Sequence, residues 1–291
     1  MRGSRLVVLV AVFSLAAGGL YWGVKASTAT APSPILTEWM QKVEESGLER
    51  DPNDLLPDLV PLPPRDLTVT RREDGATLLL FSATYFNQGE GPLELVADPA
   101  TRGIREDIER NVFQQVYRRE GEPREKLVGT FLWHQEHLHY HFSDFIIYDL
   151  EPVDAPAHPD LEGARVKSTF CLRDISQVDL PLANRAPEAA YLICYKEVQG
   201  VSVGWGDTYF HNYPDQNLNI SNLVSGTYRL TFVANPERML DESNLENNIS
   251  STLFHLDMKK GEVQVLSETP SDAPEVEHVY PEQPFGDVPQ P

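Results

Sequence analysis

The chain has 291 residues and a mass of 32.7 kDa, enough for one large domain or two small ones. Hydrophobic residues make up 41% and charged residues 23%, which excludes a wholly disordered chain and a polytopic membrane protein. Lys and Arg number 24 against 44 Asp and Glu, a formal charge of −20; this repels phosphate backbones, excludes a generic nucleic-acid binder and would attract cationic partners such as amines and basic peptides, while on charge alone it reads as a solubilising or salt-adapted surface.

At the N-terminus, Arg2 and Arg5 precede an uncharged run from Leu6 to Val24, and Lys25 and the small-residue stretch Ala26–Ala31 follow. A basic start, an apolar run and an Ala29-Thr30-Ala31 site read as a secretory signal. The run is also long enough to stay as a membrane anchor. Both readings export the remainder, so the expected location is extracytoplasmic, with the membrane touched only through residues 1–31. Residues 32–57 hold an amphipathic stretch, Leu36, Met40, Val43 and Leu48, read as a short helix in a linker.

From Asp58 the character changes. Thr77–Phe86 (TLLLFSATYF) is rich in β-formers and runs into the turn signal Asn87-Gln88-Gly89-Glu90-Gly91-Pro92. Further strand-like runs are Val112–Arg118, His139–Leu150, Val166–Leu172, Thr227–Asn235 and Ser251–Met258. The pattern predicts a mainly β fold, an antiparallel β-sandwich with long functional loops over residues 58–258. Residues 259–291 read as an acidic, proline-rich tail without fixed structure: from about Glu268 it carries six prolines and no Lys or Arg. The two cysteines, Cys171 and Cys194, are too few for a disulfide scaffold or a four-cysteine zinc site. They suit one disulfide in an oxidising compartment.

Four of the eight histidines fall within Trp133-His134-Gln135-Glu136-His137-Leu138-His139-Tyr140-His141-Phe142. His137, His139 and His141 are spaced by two, so on a strand their imidazoles point to one side, with Leu138, Tyr140 and Phe142 turned to the core. Three imidazoles on one face predict a metal site. His134 is out of phase and is placed beside the metal or on the substrate side. Spacing alone leaves zinc and copper both open.

The histidine block, followed by Tyr148-Asp149-Leu150, resembles the copper-binding region of lysyl oxidases. Five further blocks support the resemblance in chain order: Pro57-Asp58-Leu59-Val60-Pro61; Leu80-Phe81 through Asn87-Gln88-Gly89; Lys167-Ser168-Thr169-Phe170-Cys171-Leu172-x-Asp174; Gly206-Asp207-Thr208-Tyr209; and Asn235-Pro236 with Glu242-Ser243-Asn244-x-x-Asn247-Asn248. Together they cover about Asp58 to Met258. The resemblance implies Cu²⁺ held by His137, His139 and His141, and a lysine tyrosylquinone made from Lys167 and Tyr209. Its activity would be oxidation of primary amines, lysyl side chains of basic proteins among them, by O₂ to aldehydes with release of H₂O₂ and ammonia. Asp207 and His134 are the candidate general bases. A structural Ca²⁺ would take Asp58, Leu59, Glu242, Asn244, Asn247 and Asn248. Two departures stand out. The animal enzymes carry several disulfides where this chain has two cysteines, and one of their cysteines beside the copper histidines is here Glu136. A cupin-like zinc or iron enzyme would need a further ligand downstream, and His158, His211 and His255 lack that context. A non-catalytic extracellular binding module has no use for the histidine strand.

Overall fold

The computed structural model describes residues 41, 50–101, 109–134, 139–155, 166–194 and 197–280, without the side chains of 101, 166 and 167. The strands in chain order are β1 Asp54–Leu55, β2 Leu59–Pro61, β3 Arg65–Arg71, β4 Thr77–Asn87, β5 Leu93–Ala97, β6 Arg110–Arg118, β7 Arg124–His134, β8 His139–Pro152 and β9 Val166–Phe170. They continue with β10 Ser176–Val178, β11 Val198–Val201, β12 Trp205–Tyr209, β13 Asn217–Asn219, β14 Gly226–Ala234, β15 Ile249–Asp257, β16 Glu262–Thr269 and β17 Val276–His278.

They form two antiparallel sheets. One runs β11-β5-β6-β7-β8-β14-β15-β16, with β1 along β6 and β9 along β8. The other runs β13-β4-β12-β10-β17, with β2 and β3 along β4. Strand alternation explains how β4 is buried along its length. Leu79, Phe81, Ala83 and Tyr85 join the core shared with the first sheet. Phe86 points the other way, against Leu62, Val178, Ala273 and Val276. Edge-to-face pairs cross between the sheets, Phe81 on Tyr148 and Tyr85 on Phe145, each with ring centroids 4.8 Å apart.

The mainly β reading therefore holds, and each predicted strand lies within two residues of an observed one. Residues 259–280 correct the expectation of an unstructured tail. β16 pairs with β15 along the sheet edge, and β17 pairs with β10. The prolines punctuate this segment without dissolving it: Val263 packs on the main core and Ala273 and Val276 on the smaller one. At the other end β1 pairs with β6 before Asp58, so the sheet begins earlier than predicted. The expected signal or anchor at residues 1–31, the short helix within 32–57 apart from Gln41, and residues 281–291 lie outside the described residues. Among the described residues, no helix is long and apolar enough to cross a membrane.

Candidate active site

The histidines come from a β-hairpin. β7 and β8 pair His134 with His139, Trp133 with Tyr140 and Leu132 with His141. His139 and His141 point to one side, their Nε2 atoms 2.8 Å apart. Tyr140 and Phe142 turn away and are buried, as the alternation predicts. His134 is not out of phase as it would be on a single strand. The hairpin returns it from the partner strand, and its ring stacks on His141 with centroids 4.7 Å apart and planes at 19°. His137 lies outside the described residues. Among those described, no three His, Cys, Asp or Glu side chains close on one point, yet the paired Nε2 atoms present two imidazole nitrogens to one locus. His141 is oriented from behind, its Nδ1 3.0 Å from the Thr169 hydroxyl. A break in the pairing of β8 with β9 between Phe142 and Ile146, with Asp144 at φ 53°, sets the histidine end of β8 apart from its core end.

Thr169 and Phe170, consecutive on β9, join this hairpin to β12. The Phe170 ring lies 3.8 Å from that of Tyr209, and the Cys171 N–H donates to the Tyr209 hydroxyl at 2.9 Å. Cys171 is bonded to Cys194, with Cα atoms 5.5 Å apart, so the predicted disulfide is present and pins this segment. Tyr209 is buried, and its phenol is held well above the usual tyrosine range by burial and then by the charge of Asp207. Asp207 is fully buried on the same strand, and no side chain donates to its carboxylate oxygens; only the backbone N–H groups of Thr208 and Arg173 approach it. Burial pushes it up to about 7; the Arg173 guanidinium pulls the other way. A carboxyl poised there can take a proton at neutral pH. Lys167 lies on β9 opposite Ile147. Its side chain is outside the described residues, and with it the predicted approach to Tyr209.

A third cluster joins β2 to the turn before β15. Asp58 and Glu242 are both buried. Asp58 accepts from the side-chain amides of Asn247 (2.9 Å) and Gln88 (3.0 Å). Glu242 accepts from the Leu59 N–H (2.8 Å), Asn235 (2.7 Å) and Asn248 (2.8 Å). The Oδ1 atoms of Asn247 and Asn248 are buried without a partner. Burial raises Asp58, and it pushes Glu242 to about 8 with the Asp58 charge adding to the effect. Two buried carboxylates with orphaned amide oxygens make a donor set for a hard cation. Asn244 stands apart, its Oδ1 accepting the Glu246 N–H at 3.0 Å in a local turn.

Sequence reasoning gave no role to Thr169, Arg173, Gln88 or Asn235. Thr169 and Asn235 lie inside quoted motifs, but a hydroxyl that orients a ring or an amide that steadies a carboxylate has no spacing signature.

The family model described as lysyl oxidase matches residues 114–265, more than half of the chain. Among curated proteins, the chain is 36% identical to the protein-lysine 6-oxidase of Gallus gallus over 118 residues, 40% of this chain and 26% of that protein. It is 33% identical to lysyl oxidase homolog 1 of Homo sapiens over 127 residues, 43% of this chain and 20% of the relative. It is 32% identical to lysyl oxidase homolog 4 of Mus musculus over 125 residues, 41% and 15% respectively. The match therefore spans about a quarter or less of these relatives.

Proposed function

The chain belongs to the lysyl oxidase family, and from that premise we propose that it is an exported amine oxidase. It takes primary amines, lysyl side chains of basic proteins included, by the balance RCH₂NH₂ + O₂ + H₂O → RCHO + NH₃ + H₂O₂. The observation that carries the reading is the His139–His141 pair, two imidazole nitrogens presented to one locus. Thr169 fixes one of these rings from two residues beyond Lys167. This donor set fits copper, which heads the affinity order for nitrogen ligands, with His137 as the third ligand. The Asp58–Glu242 set with its orphaned amide oxygens fits Ca²⁺, which would tie β2 to the turn before β15. The family match favours this reading over a cupin-like zinc or iron enzyme or a non-catalytic module. The Cys171–Cys194 disulfide supports export to an oxidising compartment.

With copper bound, a quinone made from Lys167 and Tyr209 would supply the electrophile and the two-electron sink. The remaining work falls to the chain. The Cys171 N–H and the Phe170 ring hold Tyr209 in one orientation. The core around β12 excludes water, which strengthens every charge interaction within it. Asp207, with no side chain donating to its oxygens, is the favoured base for the α-proton of the substrate. His134, stacked on His141, lies on the metal side of the site. The high negative charge draws cationic amines towards the protein.

The test is redox-cycling staining of denatured, copper-loaded protein together with amine-dependent H₂O₂ release. Wild type should give both. Lys167→Ala and Tyr209→Phe should give neither, and amine oxidation surviving in either variant would remove the proposal.

A further inference from the structure

Arg173 sits between two anchors. On one side Cys171 is bonded to Cys194 and donates its N–H to Tyr209. On the other, the Asp174 carboxylate accepts from the N–H groups of Ala190 (2.8 Å), Tyr191 (3.2 Å) and Ser202 (2.8 Å) and from the Ser202 hydroxyl (2.7 Å). Beyond it, the Ile175 N–H donates to the Gly206 carbonyl at 3.0 Å, and Ser176 pairs with Gly206. Arg173 thus lies in a short stretch held to β12 at both ends, by Cys171 at Tyr209 and by Ile175 at Gly206.

The guanidinium is turned inward. Its Nε is buried without a hydrogen-bond partner, and the groups it faces are Asp207 and the phenols of Tyr209 and Tyr213. No side chain donates to either oxygen of Asp207; the groups that approach it are the backbone N–H groups of Thr208 and Arg173. The two opposite charges thus stand near each other without a hydrogen bond between their side chains. A pair kept for stability closes into hydrogen bonds, because buried charges left apart cost several kcal/mol. Such an arrangement is characteristic of functional sites.

We propose that Arg173 is a positioning residue of the amine-oxidising site: a half-buried cation, its Nε turned inward, held opposite Asp207 so that this carboxylate stays available for the substrate proton. The proposal rests on Asp207 as the base. Asp207 faces Tyr209 from its own strand, Tyr85 from β4, Tyr148 from β8, and Asp174 and Arg173 from the segment before β10. All three phenols are held in their neutral form by burial. Asp174 adds to burial in favouring the protonated acid, and Arg173 opposes both. Removing Arg173 therefore makes Asp207 harder to ionise, and base catalysis is lost at a higher pH.

The experiment has two readouts. In copper-free protein the carboxyl infrared band of Asp207, assigned by its loss in Asp207→Asn, is titrated. In copper-loaded protein the acid limb of kcat/KM for n-butylamine is followed. Arg173→Gln should move both upward by about one pH unit or more, and Arg173→Lys should move them less. An Arg173→Gln band titrating at the wild-type pH would overturn the proposal. So would a wild-type Asp207 that stays protonated to about pH 9, a result that does not depend on any Arg173 variant folding. If wild type oxidises no amine, the functional reading fails, while the copper-free titration still decides the part played by Arg173.

Discussion

The N–H of Cys171 donates to the hydroxyl of Tyr209 at 2.9 Å, so the residue that closes the disulfide also holds the phenol. Mechanical constraint and chemistry are joined at one backbone amide. The bond comes from an unpaired stretch between β9 and β10, which the link to Cys194 keeps in place.

Cys171→Ser with Cys194→Ser should therefore cost more than chain entropy. A loop closed over a sequence separation of 23 stabilises by roughly 3 kcal/mol, and the thermal midpoint should fall accordingly. Quinone yield per copper should fall as well, since Tyr209 loses its fixed partner. Two titratable thiols in denatured, unreduced wild type would refute the premise.

Thr169→Val removes the hydroxyl that orients His141 at almost no change in volume. Partners of this kind govern metal affinity by about 10- to 100-fold. The expected result is a loss of that size in copper affinity by chelator competition, with the fold intact by circular dichroism. Unchanged affinity would show that the hydroxyl is incidental.

Most of the fold was legible because strands write themselves as alternation. Tyr140 and Phe142 had to face the core if His139 and His141 faced a pocket, and they do. What the sequence hid depends on neighbours far along the chain. His134 joins the site only through its pairing with His139 across the hairpin. Arg173 is brought near β12 only by the bonds of Cys171 to Tyr209 and of Ile175 to Gly206 on either side of it. β17 was invisible because three residues carry no periodicity; its stability comes from the β10 edge. Of the residues expected to hold a cation, Asp58, Glu242, Asn247 and Asn248 come together, while Leu59 enters through its N–H and a local turn bond takes the Asn244 side chain.

Calcium should stabilise the protein through Asp58 and Glu242. At a free concentration of about 100 times the dissociation constant the gain is about 2.7 kcal/mol, read as a rise in the thermal midpoint that EDTA reverses. Glu242→Gln keeps the side-chain size but removes one buried charge and one of the two acceptor oxygens, and it should abolish the calcium response. An equal response in wild type and Glu242→Gln would place the ion elsewhere.

The proposed base, Asp207, can take a proton only when ionised, and burial raises it to about 7. The rate of amine oxidation should therefore climb with pH through about 7 and level off above it. Asp207→Asn should lose roughly 10²- to 10⁴-fold in kcat and the climb with it. A pH profile of the same shape in Asp207→Asn would assign the base to another group.

The last prediction concerns the segment after Thr269. β17 pairs with β10, and Ala273 and Val276 cover Phe86 and Val178. His278 Nδ1 lies 2.9 Å from the Ser176 hydroxyl, Ser176 lies 2.9 Å from the Thr208 hydroxyl, and Thr208 lies 2.8 Å from that of Thr84. Thr208 stands between Asp207 and Tyr209, so this chain of hydroxyls braces β12 from behind. A chain ending at Thr269 loses the apolar cover and the brace, about 2 kcal/mol from the apolar part alone. Amide exchange should accelerate first in residues 176–178 and 205–209, and little at β14 and β15 in the other sheet. Uniform acceleration across both sheets would mean that the segment supports the whole fold, and no acceleration would mean that it braces nothing.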